Sequence, residues 1–297
     1  MMKKTRSIWE GETAMFRTVE FGNEEAGPFY LQHIRRPGAF ERTQHVHELY
    51  ELYYLYEGQR LYFVKDRSYQ VLPGDLVLIN RREVHGVSDF GTPGHERVVM
   101  NFSREFVAAM MEEAPFLLDG FAQPTPIVRL DLPPRREAEE LLARMIREAE
   151  TARLGQTLAL RSLLGELLLF TARFVRTHRV PVPEHVSPIH RKISDIVRHL
   201  NVHYADTVRL NDLAAQFGIS PPYLSRMFKE ITGFSLVEYV QLVRVREAQR
   251  LLETTNDKVI AVAEQVGFGS LVQFGRVFRQ LAKTTPLRYR QTARGKV

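Results

Sequence analysis

Residues 213–229 read LAAQFGISPPYLSRMFK, and residues 262–279 read VAEQVGFGSLVQFGRVFR. Aligned, Ala214 meets Ala263, Gln216 meets Gln265 and Gly218 meets Gly267. After the turn Arg226 meets Arg276, Phe228 meets Phe278 and Lys229 meets Arg279, with the offset growing from 49 to 50. Each copy reads as two short helices joined by a tight turn. Alanine four residues before the glycine keeps the first helix thin where the second crosses it, and glycine permits the positive φ that the turn requires. Ser220 and Ser270 stand where the second helices need N-caps. Leu224, Met227 and Phe228 in one copy, and Phe274, Val277 and Phe278 in the other, form a buried stripe at helical spacing. Arg226 and Arg276 then face outward. One such match arises by chance in helical proteins. Two in register predict a pair of helix-turn-helix units, at roughly 210–231 and 259–282.

Outward from this repeat, SLVEYVQLVRVREAQRLLE (235–253) reads as one helix of 19 residues. At about 1.5 Å per residue it spans roughly 28 Å. Two recognition helices held by such a spacer can enter successive major grooves, about 34 Å apart. The charge agrees. Residues 190–297 hold 17 Lys and Arg against 9 Asp and Glu, whereas residues 1–189 hold 24 against 26. After Glu264 no acid follows, while Arg276, Arg279, Lys283, Arg288, Arg290, Arg294 and Lys296 do. A basic segment beside a near-neutral one suggests a polyanion partner; a plain basic solvated surface is the competing reading.

These segments, with YVQLVRVREAQRLL, VAEQVGFGS, FGRVFRQ and TTPLRYR, resemble the AraC/XylS family of transcription regulators over about 100 residues, from Ile193 to Gln291. The resemblance implies seven helices carrying two helix-turn-helix units, double-stranded promoter DNA and RNA polymerase as partners, and activation as the usual outcome. By position it implies that Pro222, Ser225 and Arg226 face bases in the first groove. Leu271, Val272, Gln273 and Arg276 face the second, and Tyr223, Lys229 and Arg279 meet phosphates. Arginine suits guanine O6 and N7, while a phosphate contact adds affinity without sequence, and either role suits an exposed arginine. The chain departs from the family pattern at Val272 and Gln273, where a serine and an aromatic are usual, and at Lys283, where many members have glycine. Leu271 and Val272 offer only apolar contact, for example to thymine methyls, so specificity is expected to lean on the first unit.

The preceding segments differ in character. Residues 28–90 read as short strands punctuated by Gly58, Pro73-Gly74 and Gly86, as in a small sandwich or barrel. Residues 104–119 suggest a short helix or two. Residues 134–152 and 156–178 form two amphipathic helices, read as an antiparallel pair. The second is apolar around much of its girth, which suits dimer contact, or packing on the barrel alone. VPVPEHVSPIH (180–190) has three prolines and no helical period, and reads as a linker. The expected fold class is therefore multi-domain α and β: a β-barrel domain (1–130), a helical pair (131–179), a linker (180–189) and an all-α DNA-binding domain (190–297).

HVHELYELYYLYEG (45–58), with LPGDLVLINRREVH ending at His85, is similar to the two motifs of cupin barrels. His45, His47 and Glu51 are separated by even numbers, so one unbulged strand places them on one face, and a neighbouring strand can bring His85 to them. Three readings stay open. The four residues suit a divalent zinc, iron or manganese ion. With Arg35 and Tyr53 they suit a small polyhydroxylated effector such as a sugar, with no metal. Or they are structural residues at the barrel mouth. A metal-dependent cupin enzyme is the rival from another class, but it leaves the repeat at 213–279 without a purpose. A barrel answering to a protein partner is a third. There is no cysteine, which excludes disulfides and thiolate zinc sites. No apolar run reaches membrane-spanning length and no secretory signal is evident, so a cytoplasmic, membrane-free homodimer without catalytic residues is expected.

Overall fold

The computed structural model describes residues 17–24, 27–38, 43–45, 47–91, 94–178 and 186–295, with Arg17 and residues 43–45 as backbone only. The strands are β1 (Arg17–Gly22), β2 (Phe29–Arg36), β3 (Thr43–His45), β4 (Tyr50–Glu57), β5 (Arg60–Val64), β6 (Arg67–Val71), β7 (Asp75–Ile79), β8 (His85–Asp89), β9 (His95–Phe102) and β10 (Ile127–Arg129). They form two antiparallel sheets, β1-β2-β9-β4-β7-β10 and β3-β8-β5-β6. Period-two alternation assigns each residue a face. Tyr53, Leu55, Val77, Ile79 and Val99 point from the six-stranded sheet toward Tyr62, Val64 and Val71 of the other, making a core between the sheets. Their neighbours Leu52, Tyr54, Leu76, Leu78, Val98 and Met100 point the opposite way.

That second face carries the helices. Short 3₁₀ turns and α1 (Ala108–Glu113) lead to α2 (Pro134–Glu150) and α3 (Gln156–Thr177). Leu142, Met145, Leu160, Leu164, Leu167 and Leu168 join Leu52 and Met100 in one buried cluster. The apolar girth of α3, read above as room for dimer contact, is thus covered largely by its own sheet and α2. Leu154 and Leu158 stay exposed at the start of α3. The proline-rich linker lies outside the described residues from 180 to 185.

Seven helices follow: α4 (Pro188–Val202), α5 (Leu210–Gln216), α6 (Pro221–Thr232), α7 (Leu236–Thr254), α8 (Val259–Gln265), α9 (Leu271–Ala282) and α10 (Pro286–Arg294). The spacer helix α7 starts at a capping box: Glu238 N–H donates to Ser235 Oγ at 3.3 Å, and Ser235 N–H donates to Glu238 Oε2 at 2.8 Å. The turn glycines adopt the expected left-handed conformation, at φ +63° for Gly218 and +87° for Gly267. Ala214 and Ala263 are buried where the helices cross. One expectation is corrected. Ser220 occupies the N-cap position of α6, but its side chain caps nothing. Pro221 and Pro222 follow it, which removes two amide donors at the helix start. Ser270 does cap α9, accepting from Gln273 N–H at 3.2 Å.

Candidate functional site

His45, His47 and Glu51 do not share a strand. β3 ends at His45 in the four-stranded sheet, and β4 begins at Tyr50 in the six-stranded one. The chain crosses between the sheets at His47, so the even spacing does not apply. His45 lies opposite His85 in the β3–β8 ladder, but its side chain lies outside the described residues. His47, Glu51 and His85 do converge. Glu51 Oε2 lies 3.2 Å from His47 Nε2 and 3.4 Å from His85 Nε2. Glu51 and His85 are buried.

Each imidazole is pinned from behind. His47 Nδ1 faces the Leu49 carbonyl at 2.9 Å, and His85 Nδ1 faces the Glu83 carbonyl at 2.8 Å. A carbonyl only accepts, so both Nδ1 atoms carry the proton. Both Nε2 atoms therefore meet the carboxylate as lone pairs unless a further proton or a cation lies between them. The donor atoms of the three residues lie within 4.8 Å of one another, and pinning of Nδ1 is what a metal-ligating histidine needs. Among the described residues, these three could hold a divalent ion.

The register extends the site along the inward face. Glu51 pairs with Asn101, which pairs with Tyr30. Tyr53 stands two residues beyond Glu51 on the same face. Its hydroxyl and Asn101 Oδ1 are buried and have no hydrogen-bond partner among the described residues. Burial pushes the Tyr53 phenol up to about 12, so it stays a neutral donor. Arg97, also on this face, lies 5.9 Å from the Tyr53 ring centroid and donates to Gln32 Oε1 at 2.8 Å. Asn101, Arg97 and Gln32 escaped the reading of the sequence. For Arg97 and Asn101 the signal was present as polar residues at alternate positions of HERVVMNF, beyond the segment read as strands, and Gln32 lay inside that segment, in FYLQHIRR.

Arg35 is a correction. It is more than half exposed and faces Glu57 at 3.3 Å and Glu96 at 3.6 Å. Counted from Tyr30 it lies five residues along β2, about 17 Å, and at odd parity. That places it on the opposite face of the sheet from Glu51.

In the helical half, Leu224, Phe228, Phe274, Val277 and Phe278 are buried. Pro222, Tyr223, Ser225, Arg226 and Lys229 are exposed on α6, and Leu271, Val272, Gln273, Arg276 and Arg279 on α9, with Ser220 and Ser270 exposed ahead of them. The Arg226 guanidinium lies 5.6 Å over the Tyr223 ring. Val272 is 84% exposed, an apolar side chain presented outward on a helix of this kind.

Comparison with known proteins matches the model of the AraC-like ligand binding domain to residues 28–168 and that of the helix-turn-helix domain to residues 213–292. The two occur in one chain, in that order. The chain belongs to the AraC/XylS family of transcription regulators. It is 26% identical over 260 residues to the HTH-type transcriptional regulator YfiF of Bacillus subtilis (strain 168), covering 82% of this chain and 76% of that one. It is 33% identical over 103 residues to YisR of the same organism, spanning 35% of this chain and 36% of YisR. An apo ToxT variant from Vibrio cholerae strain SCE256 matches at 14% identity and a TM-score of 0.40, covering 90% of this chain and 98% of that one. Among the described residues of this AraC-family chain, no helix is long and apolar enough to cross a membrane.

The electrostatics of this regulator's inner cluster give a first prediction. Burial opposes charge on Glu51, but the fields and hydrogen bonds of His85 and His47 hold its carboxyl well below the usual range. Burial also opposes charge on His47, but Glu51 raises it above the ordinary 6.5. The depressed Glu51 contributes stability above the unfolded carboxylate value of 4.5, lost as pH falls through its folded value. The raised His47 contributes below 6.5, lost as pH rises through its folded value. Wild-type thermal stability is therefore expected to peak between these limits. Glu51→Gln should flatten that peak, and identical pH profiles for the two proteins would contradict the coupling.

Proposed function

We propose that this chain is an effector-responsive activator of transcription. A small polyhydroxylated molecule binds between the sheets, and the two helix-turn-helix units read promoter DNA. The division into an effector domain (1–130), helical pair (131–179), linker (180–189) and DNA-binding domain (190–297) follows from this reading. The observation that carries the effector part is the inward row of Glu51, Tyr53 and Asn101. Buried polar atoms normally find partners, and the Tyr53 hydroxyl and Asn101 Oδ1 have none among the described residues. Hydroxyl groups, which both donate and accept, match them together with Glu51. A thermal-shift screen of mono- and oligosaccharides tests this, because a ligand of the folded state raises apparent stability. A sugar that shifts wild type but not Asn101→Ala supports it; no shift across the panel counts against it.

For DNA, base reading is assigned to Pro222, Ser225, Arg226, Leu271, Val272, Gln273 and Arg276, and phosphate contact to Tyr223, Lys229 and Arg279. Arg226→Ala is expected to weaken specific binding by about 1–3 kcal/mol. Equal loss on random DNA would make it a phosphate contact instead. RNA polymerase is the expected partner at the promoter. A homodimer is expected through the helical pair, where Leu154 and Leu158 remain exposed. The convergence of His47, Glu51 and His85 supports a second reading, a divalent ion in place of or beside the effector. Metal analysis of purified protein separates the two.

A further inference from the structure

The outer face of the four-stranded sheet packs against the DNA-binding half. Phe63 of β5 and Val84 of the β7–β8 loop share one buried cluster with Ile193, Val197, Leu224, Phe228 and Tyr239, the core of the first helix-turn-helix unit. The Tyr239 hydroxyl donates to Asn201 Oδ1 at 2.9 Å and lies 3.3 Å from the Lys65 carbonyl. Arg198 pairs with Asp66 at 3.1 Å.

The same edge of the barrel also holds the second unit. The Arg82 guanidinium forks onto Glu253 at the end of α7, with Nη2 to Oε1 at 2.7 Å and Nη1 to Oε2 at 3.2 Å. The Tyr289 hydroxyl of α10 donates to the same carboxylate at 2.5 Å, and Arg82 lies 5.8 Å from the Tyr289 ring centroid. Glu48 accepts from Arg82 Nε at 2.8 Å and from buried Gln249 at 3.3 Å. The second unit has its own core, built from Val245, Leu252, Val262, Phe268, Phe274 and Phe278. Inside the helical half the units are joined by α7 and by the 204–206 loop, whose Tyr204 and Asp206 carbonyls accept from Arg244 of α7 at 2.7 and 2.9 Å. The barrel edge adds another link.

We propose that this edge is a brace. It sets the placement of the two reading helices relative to each other, and Arg82 transmits the state of the inner cluster to it. The loop bearing Arg82 is tied to the effector site from within. Arg82 N–H donates to the His47 carbonyl at 2.9 Å, His85 Nδ1 donates to the Glu83 carbonyl at 2.8 Å, and Lys65 Nζ pairs with Glu83 at 2.9 Å. Arg82 itself adopts φ +60°, a conformation that side-chain-bearing residues avoid unless their surroundings impose it. A shift of His47 or His85 therefore moves the backbone from which Arg82 reaches Glu253. The affinity of a bipartite site depends on both units fitting at once, so a brace controls it without touching DNA.

The proposal rests on the reading that both units contact DNA, and the test separates the two. The full chain is first used to select its preferred duplex from random DNA. Dissociation constants are then measured on that duplex and on versions with one or two base pairs inserted between the half-sites. Wild type is expected to lose about tenfold or more per inserted pair, and Arg82→Ala less than about threefold, with affinity for a single half-site unchanged. Glu253→Gln, which keeps the side-chain size, should behave like Arg82→Ala. The exchange of Arg82→Glu with Glu253→Arg should restore spacing dependence at least in part. Glu51→Gln, inside the barrel, should shift the spacing profile, and a wild-type profile there would overturn the transmission. Wild-type profiles in both Arg82→Ala and Glu253→Gln would overturn the brace alone. Selection of a single half-site by wild type would overturn both the brace and the two-unit reading.

Discussion

Gly267→Ala is expected to unfold the second helix-turn-helix unit, at a cost of about 3–5 kcal/mol, while Gly218→Ala costs only about 1 kcal/mol. The two glycines are equivalent in the aligned repeat, and both sit at positive φ. Their surroundings differ. A Cβ on Gly267 would lie 2.3 Å from the Ala205 carbonyl oxygen and 2.7 Å from its Cα, both backbone atoms that cannot swing aside. A Cβ on Gly218 would meet nothing within 4 Å, leaving only the conformational penalty. Hydrogen exchange should show amide protection lost across α8 and α9 in the first variant and retained across α5 and α6 in the second. Equal stability of the two variants would mean that the 204–206 loop yields.

Phe228→Ala is the second large effect, again about 3–5 kcal/mol, from lost transfer energy plus the cavity left behind. Phe228 is fully buried and meets the Tyr239 ring edge-on at 5.6 Å. Its cluster includes Phe63 and Val84 from the barrel, so the damage should cross the domain boundary. Amide exchange should quicken in β5 as well as in α6. Denaturant melts followed by circular dichroism give the magnitude. A loss below about 1 kcal/mol would show that neighbours refill the space, as cores sometimes do.

The contrast between Gly218 and Gly267 also marks where sequence reading stops. The repeat was legible because helical period, turn glycine and alanine crossing are local, and none depends on a distant residue. Ser220 occupies the N-cap position of α6 without capping it, a matter of side-chain placement that the position alone does not reveal. Glu51 was legible from its spacing to His47, and His85 from its place at the end of LPGDLVLINRREVH, although the single-strand argument behind the spacing failed at the crossing near His47. Arg35 needed strand register and parity, which place it on the wrong face, and Asn101 and Arg97 needed the pairing of β9 with β4. The contact between Arg82 and Glu253 spans 171 residues and carries no motif, so only the folded chain reveals it. The apolar stripe of α3 was seen correctly, but whether a sheet or a second copy covers it is a tertiary matter.

Phe63 and Val84 also bear on how such regulators can be recombined. Effector domains and DNA-binding domains of one family invite exchange, as if each were a self-contained part. Here the barrel contributes two side chains to the hydrophobic interior of the domain it would be separated from. A barrel grafted onto another reading domain would present those side chains to water unless the recipient offers a matching hollow. Arg82 and Glu48 would also need an acidic and an amide counterpart, respectively, at the positions of Glu253 and Gln249. The seam for a working chimera therefore does not lie at the proline-rich linker alone. It follows the surface of the four-stranded sheet, and both halves would have to change together along it.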